Sequence, residues 1–168
     1  ETGLLSYMAR VNYGYADKYL LTASGRYDGA SQLAPGNKWA FFPSTSLAWR
    51  LDKEEFLQNV TWVNQLKLRA GFGVTGNQGI GNYAIQPLLS AQDTYLGLPA
   101  IVQTTLGNDN LKWETTKQLD IGMDLQFLKG RVNLTVDYYD KRTSDLLFNV
   151  QIPSQTGFNS IPFNFGSI

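Results

Sequence analysis

The chain has 168 residues, with 14 Lys plus Arg balanced by 14 Asp plus Glu, and it contains neither cysteine nor histidine. Zero net charge removes any general electrostatic attraction to nucleic acid, and the two missing residue types exclude disulfides, thiol nucleophiles, Ser-His-Asp triads and most transition-metal sites. Charged residues make up only 17%, while 16 glycines and 13% aromatics suit turns and strands more than long helices.

The first segment, Leu4 to Tyr15, places Leu5, Tyr7, Ala9, Val11, Tyr13 and Tyr15 against Ser6, Met8, Arg10, Asn12 and Gly14. Side chains of a strand alternate between faces, so this period of two gives one greasy face and one wet face. Ala16-Asp17-Lys18 reads as a tight turn. A second strand runs from Tyr19 to Tyr27, with Thr22, Ser24, Arg26 and Asp28 on the polar side. A polar loop, 28–38, leads to a third strand over Trp39 to Leu51, with Pro43 near its start and Arg50 on its polar face. Asp52 to Leu57 reads as a short helical turn capped by Asp52. The fourth strand covers Gln65 to Thr75, with Lys67 and Arg69 on the polar side.

A long excursion, Gly76 to Lys112, lacks a sustained period and reads as a loop that has room for a small β-hairpin. Its Tyr83 and Tyr95 offer either a sugar-stacking surface or packing of the loop on itself. The fifth strand, Trp113 to Phe127, sets Leu119, Ile121, Met123 and Leu125 against Asp120 and Asp124. Leu128-Lys129-Gly130 is a tight turn, and a sixth strand runs from Arg131 to Lys141 with Asp137 on its polar side. The tail, 142–168, reads as a loop with at most one short strand.

The fold class expected is all-β, an antiparallel up-and-down meander of about six long strands. Strands of soluble domains average about five or six residues, whereas a tilted strand crossing a bilayer needs about nine to eleven. The links alternate short and long, as the periplasmic turns and outer loops of membrane barrels do. Aromatics gather at both ends: Tyr13, Tyr15, Tyr19, Trp49 and Phe127 beside the tight turns, and Tyr27, Trp39, Phe41 and Trp113 beside the loops. This matches two interfacial girdles. A soluble β-domain with one hidden face is the competing reading. No run of about 18 apolar residues gives a membrane helix, and a strand-built wall does not need one.

The wet face collects Arg10, Arg26, Arg50, Lys67 and Arg69 together with Asp28, Asp120, Asp124 and Asp137. Lys67 and Arg69 are expected to pair across strands with Asp120 and Asp124. Six strands leave two open edges, which hydrocarbon does not tolerate. With no secretory leader and a start inside a patterned segment, the chain is expected to be a portion of a larger protein.

Other motifs are weak. Gly71 to Gly76 spells G-x-G-x-x-G, but nothing after it starts a helix, so the glycines read as small polar-face residues followed by a turn. Asp120 with Asp124, or Asp137 with Asp140, lack the character of a catalytic carboxylate pair. Asn108-Asp109-Asn110 lacks the rest of a calcium loop and reads as a polar turn. Asn59-Val60-Thr61 and Asn133-Leu134-Thr135 are formal glycosylation sequons, and the second falls inside a strand. No enzymatic role, metal or cofactor is expected.

Several blocks occur in a distinctive order: YLLTASGRYDGAS at 19–31, WAFFPSTSLAWRL at 39–51, LKLRAGFGVTGNQ at 66–78, LKWETTKQ at 111–118 and DYYDKRTSDLL at 137–147. Together they resemble the SusC/RagA-type TonB-linked outer-membrane transporters of Bacteroidetes. The resemblance weakens in the long loop and after Phe158. It implies one section of a barrel of about 22 strands, whose N-terminal plug, TonB box and signal peptide are not represented in these residues. It further implies a location in the outer membrane and import of glycans, oligosaccharides or peptides. Energy would come from TonB–ExbB–ExbD, and a SusD-like surface lipoprotein would cap the outer mouth. A passive porin-like barrel and a soluble carbohydrate-binding β-domain are the alternatives.

Overall fold

The computed structural model describes residues 2–168, apart from the side chain of Gln92. Six long strands form one antiparallel sheet: β1 (Leu4–Tyr15), β2 (Tyr19–Ala30), β3 (Trp39–Arg50), β4 (Val63–Asn77), β7 (Glu114–Phe127) and β8 (Val132–Ser144). They lie side by side in chain order, β1-β2-β3-β4-β7-β8. Two short hairpins accompany this sheet: β5 (Leu89–Tyr95) with β6 (Leu98–Gln103) between β4 and β7, and β9 (Leu147–Gln151) with β10 (Ser160–Asn164) after β8.

The period-two pattern fixes the register, because a slip of one residue would exchange the two faces. One continuous row runs Tyr13, Leu21, Leu47, Ala70, Ile121, Tyr138, and the row beside it runs Asn12, Thr22, Ser46, Gly71, Asp120, Tyr139. Opposed residues project to one side, so the sheet has one apolar and one polar face. No second sheet covers the apolar face among the described residues: Val11 is 68% exposed, Ile121 51% and Val136 50%. A soluble sandwich would bury this face.

The tight turns use left-handed residues other than glycine. Ala16 and Asp17 have φ of 52° and 54°, and Leu128 and Lys129 have 53° and 58°. Lys18 N–H closes the first turn on Tyr15 O at 3.0 Å, and Gly130 N–H closes the second on Phe127 O at 3.0 Å. A bulge at Asn64 frees its side chain, whose Oδ1 accepts from Lys129 N–H at 2.7 Å and ties the two links together.

Several expectations are corrected. The tail holds a two-stranded hairpin, and beyond it Thr143 and Ile168 exchange both backbone hydrogen bonds at 2.8 Å, so the chain returns to the outer side of β8. Asp52 lies inside a 3₁₀ turn, Leu51–Lys53, and caps nothing; its carboxylate holds Arg50 at 2.9 Å and accepts from Leu66 N–H. Pro43 sits within β3, and the ladder to β4 begins only at the next residue, Ser44, so its missing donor interrupts no bond there. The G-x-G-x-x-G run lies entirely within β4, with no turn in it and no helix after it.

The packed core sits at the loop end of the sheet rather than along it. Leu33, Leu111, Phe42, Trp113 and Ala30 are buried together, with Val74, Ile80, Ile85 and Leu147 against them. The long excursion folds back over this end. Asn108 Nδ2 donates to Pro162 O, and Asn164 Nδ2 donates to Lys112 O, each at 2.9 Å, so excursion and tail hairpin lock together.

Candidate functional site

On the polar face, three charged groups assemble around a glycine. Arg69 (β4) donates from Nε and Nη2 to both oxygens of Asp124 (β7), at 2.9 and 3.1 Å, and from Nη2 to Asp137 (β8) at 2.9 Å. Gly122 lies directly opposite both Arg69 and Asp137. A Cβ there would collide with the Asp137 carboxylate and approach Arg69 Nη2 to 2.8 Å. The glycine is what lets one guanidinium span three strands in the fork geometry that arginine favours.

The other expected polar-face groups share that side but form no single cluster. Arg26 pairs with Asp28 at 2.7 Å and lies 5.7 Å from the centre of the Phe42 ring. Asp28 is buried, and its Oδ1 has no partner among the described residues. Asp120 accepts from Gln118 Nε2 at 2.9 Å and pairs with no cation among the described residues. Lys67 stands opposite Asp124, which is committed to Arg69. Arg10 and Lys67 have no ion-pair partner among the described residues. Asp137 and Asp140 fall on opposite faces of β8, which ends any thought of a carboxylate pair.

On the apolar face the rings gather in two bands. At the tight-turn end Tyr19 stacks on Trp49 (6.1 Å) and lies 6.5 Å from Tyr15, while Phe127 stacks on Trp62 (5.5 Å). Tyr13 is exposed on the same face. Glu54, from the link after β3, accepts from Trp49 Nε1 (3.0 Å), Tyr19 OH (2.9 Å) and Lys18 Nζ (3.0 Å). Those donors, Trp49 first, hold the Glu54 carboxyl below the usual glutamate range. At the loop end Trp39 stacks on Tyr27 (4.9 Å) and on Tyr7 (6.2 Å). Trp39 and Phe41 lie across Gly29 and Gly25, where a Cβ would come within 2.7 and 2.8 Å of the rings.

Trp113 does not belong to this band. It precedes β7, is 7% exposed, packs edge-on against Phe42 at 5.4 Å, and donates from Nε1 to Lys38 O. A ring just outside a strand is free of the strand's alternation, and here it turns into the core. Tyr83 and Tyr95 are exposed at 53% and 72%, Tyr95 at the tip of the β5–β6 hairpin. A cleft of about 330 Å³ opens between the excursion and the tail hairpin, lined by Asn82, Leu88, Leu106, Phe148, Asn149 and Pro162 among others. Asn108 Oδ1 accepts from Asn110 N–H, the bond of a plain polar turn.

Residues 2–168 match the family described as TonB dependent receptor-like, beta-barrel. The chain belongs to that family. TonB-dependent receptor P26 of Formosa agariphila is 47% identical over 98% of this chain and 17% of its own length. TonB-dependent receptor SusC of Bacteroides thetaiotaomicron is 39% identical over 98% of the chain and 17% of its own length. A solved structure of the RagAB peptide transporter superposes over 99% of the chain and 18% of its own, with TM-score 0.91 and 31% identity. The chain thus spans about a sixth of the length of these relatives. They are receptors and transporters rather than enzymes, and the six-stranded sheet is a section of a TonB-dependent receptor barrel.

Proposed function

We propose that the apolar face meets lipid and the polar face lines the lumen of an energy-coupled transporter in the outer membrane of a Bacteroidetes-type cell. Its cargo is a glycan, oligosaccharide or peptide, taken in with a SusD-like surface lipoprotein. TonB–ExbB–ExbD acts on parts of the protein beyond these residues. The tight turns then face the periplasm and the long loops face outward.

The observation that carries this reading is the uncovered apolar face, mostly aliphatic between its ends, with rings gathered along its tight-turn end and along the loop end of β1–β3. A water-soluble domain has no reason to leave that surface bare. The polar face suits a wet interior: its central rows hold Ser, Thr, Gly and Asn, with charges placed between them. Names of relatives support the cargo classes, since one is a peptide transporter and another is SusC. The cleft between the excursion and the tail hairpin supports contact of that excursion with solute or lipoprotein.

Single cysteines test the orientation, because these residues contain none of their own. In the full-length protein, cysteines replacing Val11 or Ile121 should react only with a bilayer-soluble maleimide. Those replacing Ser24 or Gln118 should react with an impermeant one once the outer membrane is opened. The reverse pattern ends the proposal. Deletion of 78–110 that leaves uptake and lipoprotein capture unchanged removes the excursion from the contact surface.

A further inference from the structure

One cluster breaks the rule that charges keep to the polar face. Lys117, Asp140 and Arg142 stand on the side of Leu119, Ile121 and Tyr138: Lys117 opposes Arg142, and Leu119 opposes Asp140. Arg142 donates from Nη2 to Asp140 Oδ2 at 3.1 Å and from Nε at 3.2 Å. Lys117 is exposed and has no ion-pair or hydrogen-bond partner among the described residues. Two cations thus face each other across a strand pair, with one carboxylate two residues from Arg142 on β8 and paired to it alone among the described residues. Like charges directly opposite are unfavourable, and a net positive charge beside hydrocarbon adds a desolvation cost.

Height explains where the cluster lies. Phe127 marks the tight-turn band on β7, and Lys117 is ten residues away along the strand. On β3, Trp49 and Trp39 mark the two bands and are likewise ten residues apart. At roughly 3.4 Å per residue and a tilt of roughly 45°, ten residues climb roughly 25 Å, the height of a barrel's apolar belt. Lys117 and Arg142 therefore stand level with Trp39. On the β1–β3 half this rim is built of rings; on the β4–β8 half Val74 packs against the buried core, and the rim carries Thr115 and the charges instead.

We infer that Lys117 and Arg142, with Asp140 orienting the guanidinium, form a seat on the lipid-facing wall for the phosphate of an outer-leaflet lipid. A phosphate supplies the missing negative charge, accepts from the Lys ammonium and the free edge of the guanidinium, and removes the repulsion between them. A soluble anion would meet the polar face; only a lipid headgroup reaches this one at this height. The inference rests on the proposed orientation of the sheet.

The test uses the full-length protein in detergent, with native mass spectrometry counting retained lipid A in its phosphorylated and dephosphorylated forms. Unaltered protein is expected to hold the phosphorylated form about tenfold more tightly than the Lys117→Gln/Arg142→Gln variant, a loss typical of one or two charge-assisted bonds. Lys141→Gln, one residue away on the polar face, should change nothing, and excess inorganic phosphate should not displace the lipid. Retention that ignores the phosphate, a variant equal to the unaltered protein, an equal loss with Lys141→Gln, or displacement by inorganic phosphate each overturns the seat. If the double variant does not fold, the comparison of the two lipid forms on the unaltered protein decides alone. Cysteine labelling at Ile121 separates the two readings: lipid-side labelling with phosphate-blind retention refutes the seat only, whereas impermeant labelling there refutes the orientation beneath it.

Discussion

Replacing Gly122 with alanine tests whether the Arg69 fork depends on an empty position beneath it. The added methyl would collide with the Asp137 carboxylate and stand 2.8 Å from Arg69 Nη2 and 2.9 Å from its Cζ, against the 3.4 Å of ordinary contact. Relief needs a shift of about half an ångström or more, and both side chains are already fixed by bonds of 2.9 Å. Overpacking of this kind costs about 1–3 kcal/mol. The ion pairs themselves add little, roughly 1 kcal/mol together, because the Arg69 and Asp137 side chains are 38% and 53% exposed and solvent screens them. The expected sum is roughly 2 kcal/mol. The assay is the urea midpoint of the full-length barrel, read from the gel shift between folded and unfolded forms. Asp137→Ala removes the closest obstacle, so Gly122→Ala should cost less than half as much in that background. Equal costs in both backgrounds would show that the glycine serves the backbone and not the fork.

Other consequences follow from the same contacts. Glu54→Gln should loosen the tight-turn end, read as a change in Trp49 emission and a lower urea midpoint near neutral pH. The Glu54 carboxyl sits below its usual range, so its contribution is complete above the ordinary glutamate value of about 4.3 and is lost as pH falls through the lower folded-state value. The midpoint of the unaltered protein should therefore drop more steeply in acid than that of Glu54→Gln. Trp113→Ala empties a buried ring site and should cost about 3–5 kcal/mol, with faster proteolysis of 31–38 and 104–112 as the readout. Gly29→Ala should lift Trp39 off Tyr27, changing tryptophan emission while leaving the register, and hence the cysteine-labelling pattern, intact.

The wall was legible because it depends on one short-range rule. Alternation places the Leu4–Tyr15 and Glu114–Phe127 strands within a residue, while it stops short of the observed ends of β2 at Ala30, β4 at Asn77 and β8 at Ser144; the turns at 16–18 and 128–130 announce themselves by their brevity. What alternation cannot carry is the fate of residues outside strands. Trp113 has an aromatic's chemistry and a strand's neighbourhood, yet its direction is set by Phe42 and Lys38, far away in sequence. Phe42 itself was a readable exception, a large ring at a polar-face position. The tail hairpin was hidden because Pro153, Pro162 and Gly157 break its period, and its order comes from Asn108 reaching across from the excursion and Glu114 from the start of β7. Asp137 as a second partner of Arg69 needed knowledge of β7 lying between them. Lys117, Asp140 and Arg142 carried a signal in their parity, charge where the pattern calls for grease.

Every long strand lies beside its predecessor in the chain, and even the 78–113 detour returns β7 to the flank of β4. Neighbour-on-neighbour order keeps most pairings local in the chain, and the closure of β7 onto β4 is the one that spans a long loop. Loops at one rim can lengthen, shrink or be exchanged wholesale while the staves below keep their alignment, so the two ends of the wall are free to diverge at different rates.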